Sequence, residues 1–160
     1  MKSDRLTYRK IDQTVKGNIL RWYTDKKIMK FIKGRAMTQA EAEDRFNFIV
    51  KTNRLNPQMG FWAVYKHNTF IGIAKLTYLK ANVLEIGYGL LEQYWRQGFA
   101  NEIINTLLKV ARNIDSAKLI TGIVNKENHA SVALLKKHGF EFISEVNEGD
   151  LVQQHYSRKP

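Results

Sequence analysis

Leu84-Glu-Ile-Gly-Tyr-Gly-Leu-Leu-Glu-Gln-Tyr-Trp-Arg-Gln-Gly98-Phe-Ala100-Asn-Glu102 begins as a strand and ends as a helix. The strand is expected to close near Leu91, a short loop follows, and the helix opens near Gly98. The first turn of a helix carries backbone N–H groups without intrahelical partners, and the positive end of the macrodipole. Together these hold a phosphate without needing a lysine. Glycine at 98 allows the backbone to come close to an anion, and Ala100 keeps the next inward position small. The stretch is not a Walker motif, which needs Gly-x-x-x-x-Gly-Lys-Ser/Thr. Nor is it a dinucleotide fingerprint: Gly87-x-Gly89 lacks the third glycine and lies inside the strand. Taken alone, the junction also reads as a simple turn.

Downstream, Val124-Asn-Lys-Glu-Asn128-His-Ala-Ser131 repeats the passage from strand to helix. Asn128 is a natural N-cap. Ser131 falls in the first turn, on the side of the preceding strand end. Leu134 and Leu135 read as core, and Gly139 closes the helix in the C-cap position. These features by themselves are also those of ordinary capping.

Outside these two stretches the pattern is regular. Leu6 to Ile11 reads as a strand, Thr14 to Tyr23 as a helix, and Lys26 to Ile32 as a short helix closed by Gly34. Thr38 with Glu41 makes a capping box for a helix to about Asn53, with Ala42, Phe46, Ile49 and Val50 at helical spacing. Gly60 to Tyr65, Phe70 to Leu79 and Val83 to Leu91 follow as an antiparallel meander. Ala100 to Ile114 is amphipathic, with Ile103, Ile104, Leu107, Leu108 and Ala111 inward. Leu119 to Val124 is a strand, and Asn128 to His138 a helix. Phe140 to Val146 and Leu151 to Tyr156 form a last hairpin around Glu148-Gly149-Asp150. A meander followed by strand-helix-strand implies an α/β (α+β) domain: a mixed, mostly antiparallel sheet of about six or seven strands with helices on both faces. No Pro/Gly/Ser-rich linker or repeat divides residues 1–160, so a single domain is expected.

Composition bounds the chemistry. With 44% hydrophobic residues, 160 residues can bury a core, which argues against disorder. No run approaches the roughly 18 apolar residues of a membrane span. The basic start, MKSDRLTYRK, is followed by no apolar stretch and is not a secretory signal. The absence of cysteine removes disulfides, thiolate metal sites and a cysteine nucleophile, and fits a cytoplasmic location. His67, His129, His138 and His155 lack metal-ligand spacing, so no metal is expected. A net charge of +11, from 26 Lys+Arg against 15 Asp+Glu, is spread along the chain. It makes attraction of an anionic partner plausible, but pairs such as Lys26-Lys27 and Lys136-Lys137 read first as solvated helix faces, so the charge identifies no ligand.

Together, Trp95-Arg96-Gln97-Gly98-Phe99-Ala100 and Asn128-x-x-Ser131, with the ending Leu135-Lys-Lys-His-Gly139-Phe140, resemble the GNAT superfamily of acetyltransferases. The family's cofactor motif is Gln/Arg-x-x-Gly-x-Gly/Ala. Trp95 departs from it, and is similar to the Tyr-Trp-x-x-Gly-Tyr/Phe-Ala form of the branch containing RimJ and RimL. The resemblance covers nearly the whole chain. It implies acetyl-CoA as cosubstrate, with its pyrophosphate on the amides of Arg96, Gln97, Gly98, Phe99 and Ala100. Asn101 stands where a hydroxyl often helps the phosphate. The pantetheine arm would add like a strand beside Tyr88 to Leu91, bonded at Leu90, where a bulge would open the slot, and Asn128 would hold the arm. Many members place a tyrosine general acid seven residues after the asparagine; here that position is Leu135, and Ser131 is the implied group for the departing thiolate.

An amine attacks only when neutral, so a base or water must take its proton. Glu85 is the candidate base on the central strand, and is equally a salt-bridged strand carboxylate. The Leu90 N–H would meet the oxyanion. The acceptor is an amine, either a protein N-terminus or a small molecule. A polycationic acceptor suits this carboxylate-poor chain less well. Trp22, Tyr23 and Phe31 border the acceptor side by resemblance, and read first as core aromatics. Edge strands of this fold often pair, which leaves a homodimer open. Two other readings are a nucleic-acid module using Tyr94, Trp95 and Arg96, although no known nucleic-acid-binding pattern is present, and a GNAT-like domain that binds acyl-CoA without catalysis.

Overall fold

A strand that is apolar on both faces must lie in a sheet covered on both sides. Gly60–Lys66 (β2) is such a strand: Trp62 and Val64 enter one core, while Phe61, Ala63 and Tyr65 enter another. The computed structural model, which describes all 160 residues, shows that sheet. Its other strands are Leu6–Lys10 (β1), Thr69–Lys80 (β3), Val83–Leu90 (β4), Leu119–Asn125 (β5), Glu141–Glu148 (β6) and Leu151–Arg158 (β7). The order across the sheet is β1-β2-β3-β4-β5-β7-β6, and only β4 and β5 run parallel.

Lys16–Thr24 (α1), Lys26–Met29 (α2) and Gln39–Leu55 (α3) cover one face. Phe99–Ala111 (α4) and His129–Lys137 (α5) cover the other. The capping box forms at α3: Thr38 Oγ1 accepts from the Glu41 amide, and Glu41 accepts from the Thr38 amide. Ala42, Phe46, Ile49 and Val50 are buried along it. All five inward residues expected of α4 are buried.

The last hairpin forms as expected, and one local expectation, the bulge at Leu90, changes. β7 inserts between β5 and β6, because its inner residues have somewhere to go: Thr121 and Ser157 share a buried hydrogen bond of 2.8 Å, and Tyr156 is buried. β6 is left as the exposed edge. The bulge expected at Leu90 is absent, since β4 keeps its register against β3 through Gly72↔Leu90. The irregularity lies in β3, where Val64 pairs with Gly72 but Tyr65 with Phe70. Ile71 is the extra residue, and it turns into the α4-side core while Ile73 faces the other. No helix is long and apolar enough to cross a membrane.

Candidate active site

The parallel ladder between β4 and β5 begins at Val83↔Leu119 and stops at Ile86↔Gly122. Beyond it each strand follows its antiparallel partner. The Leu91 amide still donates to Ile71 O at 2.9 Å, and β5 stays paired to β7 as far as Asn125↔Gln153. Antiparallel pairing is the more stable per residue, so a slot opens between the ends of β4 and β5. Alternation turns the backbone groups of Tyr88 and Leu90 away from β3 and toward this slot. The Leu90 carbonyl is already engaged, accepting from Trp95 Nε1 at 2.7 Å. Its N–H shares that direction, toward the slot.

At the mouth stands the N-terminus of α4. Asp25, Thr38 and Asn128 each cap a helix with a side chain, but Gly98 caps α4 with none. The first-turn amides therefore stay unpaired at the positive end of a 13-residue helix. Arg96 at φ 57 and Gly98 at φ 80 both adopt the left-handed region, a turn that gathers successive amides into an anion-binding concavity. The need for glycine at 98 is conformational rather than spatial: an added Cβ would meet only Arg5 Nη2, at 3.5 Å. Arg5 braces the loop. Its Nη1 donates to Gln97 O at 3.1 Å, its Nε to Glu102 Oε2 at 2.8 Å, and its guanidinium lies 4.4 Å over the Phe99 ring. Burial works to raise the Glu102 pKa, but hydrogen bonds from Ser3 and Arg5 overcome it and hold the carboxyl below its ordinary value.

Slot and helix end share one cavity of about 530 Å³, within the range of small-molecule sites. Tyr88, Leu90, Arg96, Gly98, Phe99, Ala100, Asn101, Asn128 and Ser131 line it. Leu91 does not: it packs against the core on the α1–α3 face. The Gln97 side chain turns back to Gln93 O, leaving its backbone in the loop. Asn128 Oδ1 accepts from the Ser131 amide at 3.2 Å, which leaves the Asn128 side-chain N–H groups available. Asn101 Oδ1 pairs with His138 Nε2 at 3.1 Å, tying α4 to α5.

Tyr88 lines this cavity, while its hydroxyl is buried and without a hydrogen-bond partner. Burial raises its pKa. Ser131 is near enough to offset part of that rise, though the two hydroxyls do not meet in hydrogen-bond geometry.

Glu85 is not brought to this cavity. On a strand, 85 and 88 face opposite ways, and the Glu85 carboxylate pairs with Lys75 Nζ on the α3 side. Both line a second cavity of about 320 Å³, with Arg45. Burial lowers the Lys75 pKa, against the pull of Glu85. Leu135 is core and Leu134 lines the cleft. Trp22 and Tyr23 are buried, whereas Phe31 joins Ile28 and Ile32 as a wall of the cleft. Tyr94 stacks edge-on against Phe99, with ring centroids 6.3 Å apart. The roles of Arg5 and of the Tyr88 side chain went unread, because nothing local marks them. Arg5 lies 92 residues from its loop partner, and Tyr88 looks like any aromatic strand residue.

The geometry agrees with the comparisons. The sequence profile described as "Acetyltransferase (GNAT) domain" matches residues 5–141. The chain belongs to this acetyltransferase family. A Bacillus subtilis (strain 168) protein described as "Uncharacterized N-acetyltransferase YoaA" is 36% identical over 72 residues, 45% of this chain. That stretch spans only 38% of the relative's length. Among solved structures, RimL, a ribosomal L7/L12 α-N-protein acetyltransferase in complex with coenzyme A, superposes with a TM-score of 0.82 at 15% identity, covering 98% of this chain and 95% of that one. A spermidine N-acetyltransferase from Vibrio cholerae, with CoA and spermine, gives 0.79 at 18% identity, covering 97% and 95%. At these identities the structures attest the fold.

Proposed function

We propose that this chain transfers the acetyl group of acetyl-CoA directly to a primary amine, on a protein N-terminus or a small molecule. One observation carries the reading: an uncapped helix N-terminus and an unpaired strand edge open into the same cavity as Ser131. The donor set fits a long, phosphorylated thioester. The amides of Arg96 to Ala100 hold the pyrophosphate. The Tyr88 and Leu90 backbone edge and the free Asn128 amide hold the pantetheine arm. The Leu90 N–H faces the developing oxyanion. Ser131 stabilises the departing thiolate. When bound, acetyl-CoA supplies the activated acyl group. Without cysteine, the chain has no route through an acetyl-cysteine. A bound water takes the amine's proton, because Glu85 is held by Lys75 outside this cavity.

The test is calorimetric titration of acetyl-CoA against the native chain and Gly98→Asp. The variant sets a carboxylate and a strained φ at the phosphate loop. Micromolar binding that collapses in the variant is expected, and CoA release across amines and peptides then identifies the acceptor. A folded native chain that binds no acetyl-CoA would sink the reading.

A further inference from the structure

The cavity of about 320 Å³ on the α3 side shares no lining residue with the cleft, and acetyl transfer makes no use of it. Its ionisable groups near the sheet are Arg45, Lys75 and Glu85. Lys75 and Glu85 pair with each other, and their side chains are only 19% and 17% exposed. Arg45 has no carboxylate. Glu41, one turn earlier on α3, is taken by Lys33 and Arg35. The Arg45 side chain donates a single long bond, from Nε to the Tyr23 hydroxyl at 3.5 Å, and its two Nη groups donate to no residue.

Aromatic rings hold this guanidinium where an acid does not. Its central carbon lies 5.1 Å from the centre of the Phe48 ring, 5.4 Å from that of Phe61 and 6.0 Å from that of Tyr23. Rings on its faces fix a planar guanidinium and leave its edge able to grip a carboxylate through two parallel bonds. The side chain is ordered before any ligand arrives, which lowers the entropic cost of binding. The remaining lining is suited to a ring. Phe61 and Met59 are buried, while Phe48 and Tyr78 stay 52% and 44% exposed beside them. Covering such apolar surface is favourable.

We propose that this cavity binds a small aromatic monocarboxylate, its carboxylate on the Arg45 guanidinium and its ring against Phe48 and Tyr78. The inference is independent of the acetyltransferase reading. Counting charges selects the ligand. Arg45 and Lys75 bring two positive charges and Glu85 one negative, so one positive charge is left to balance. A single carboxylate does so. A phosphate dianion would overshoot and would face Glu85. An amine drawn to Glu85 would meet two cations and would have to displace Lys75. Burial lowers the Lys75 pKa against the pull of Glu85, and the charge of Arg45 adds to the lowering, so a carboxylate between the two cations relieves both. Size points the same way: the volume sits at the lower end of small-molecule sites, enough for one ring and not for a nucleotide.

Phenylacetate is the probe, titrated into the full chain and followed through its amide chemical shifts. Phenylacetamide has the same shape without the charge, and phenethylamine carries the opposite charge. Phenylacetate should bind in the millimolar range or tighter and shift the amides of Phe48, Phe61 and Lys75. Phenylacetamide should bind at least about tenfold more weakly, the loss of a hydrogen bond between charged groups. Arg45→Met keeps an apolar stem against the rings and should remove the preference for the acid. Were that variant to unfold, the comparison of the three ligands on the native chain still decides. No binding by about 10 mM, where a ligand this small should register, would overturn the proposal. So would equal affinity for acid and amide, a stronger response to phenethylamine, or a preference for the acid that survives in a folded Arg45→Met. Shifts confined to Gly98 to Ala100 would overturn it too, because the anion would then sit at the end of α4.

Discussion

His138 stands between two cations and an amide. Burial, then Lys137 and Arg158, hold its pKa below the ordinary 6.5, while Nε2 engages Asn101. The folded state therefore prefers the neutral ring, and the unfolded chain binds a proton more readily. Stability from this group is fully present above pH 6.5 and is lost as pH falls through that value toward the folded pKa. Gln at 138 can keep the contact to Asn101 without titrating. His138→Gln should thus show a smaller drop in melting midpoint between neutral and mildly acidic pH than the native chain. Equal drops in both would place the acid sensitivity elsewhere, with Glu102 next in line, since a depressed carboxyl also loses its stabilising effect as pH falls. Asn101 lines the cleft, and its side-chain oxygen also ties α4 to α5 through His138.

At the scale of elements, α4 both opens at the proposed anion site and fills the core. Phe99, Ile103, Ile104 and Leu107 are each at most 2% exposed. Deleting most of such a side chain costs its transfer free energy plus that of a cavity. Leu107→Ala should lose about 2–5 kcal/mol of unfolding free energy, read as a lower urea midpoint with unchanged slope. A loss under about 0.5 kcal/mol, the scale of surface substitutions, would mean that the helix is not packed as described. Helices and caps were legible because their signals are local. Thr38 with Glu41, the 3.6-residue period of α4 and the glycine after α5 all act within a few residues. The slot was not legible. It depends on where the β4–β5 ladder stops, and that is decided by which neighbours each strand keeps.

For the whole molecule, the slot joins the two faces of the sheet: the cleft with Tyr88 and Ser131 takes walls from α4 and α5 and from Ile28, Phe31 and Ile32, while the cavity with Glu85, Lys75 and Arg45 lies on the α3 side. With water as the base and Glu85 the ion partner of a buried lysine, Glu85→Gln should leave kcat unchanged with the amine found by CoA release. A fall of about 10²–10⁴-fold, with the acidic limb of the pH–rate profile erased, would make Glu85 the base instead. By itself the sequence determined the class of fold, the succession of helices and strands, the loop proposed to receive phosphate and the family, because each is written in residues close together along the chain. Tertiary structure alone decided the place of β7 between β5 and β6, the bracing of the loop before α4 by Arg5, the pairing of Glu85 with Lys75 on the α3 side and the place of Tyr88 and Ser131 on one cleft. Those depend on strand parity, pairing and contacts between distant segments, which no short stretch of residues encodes.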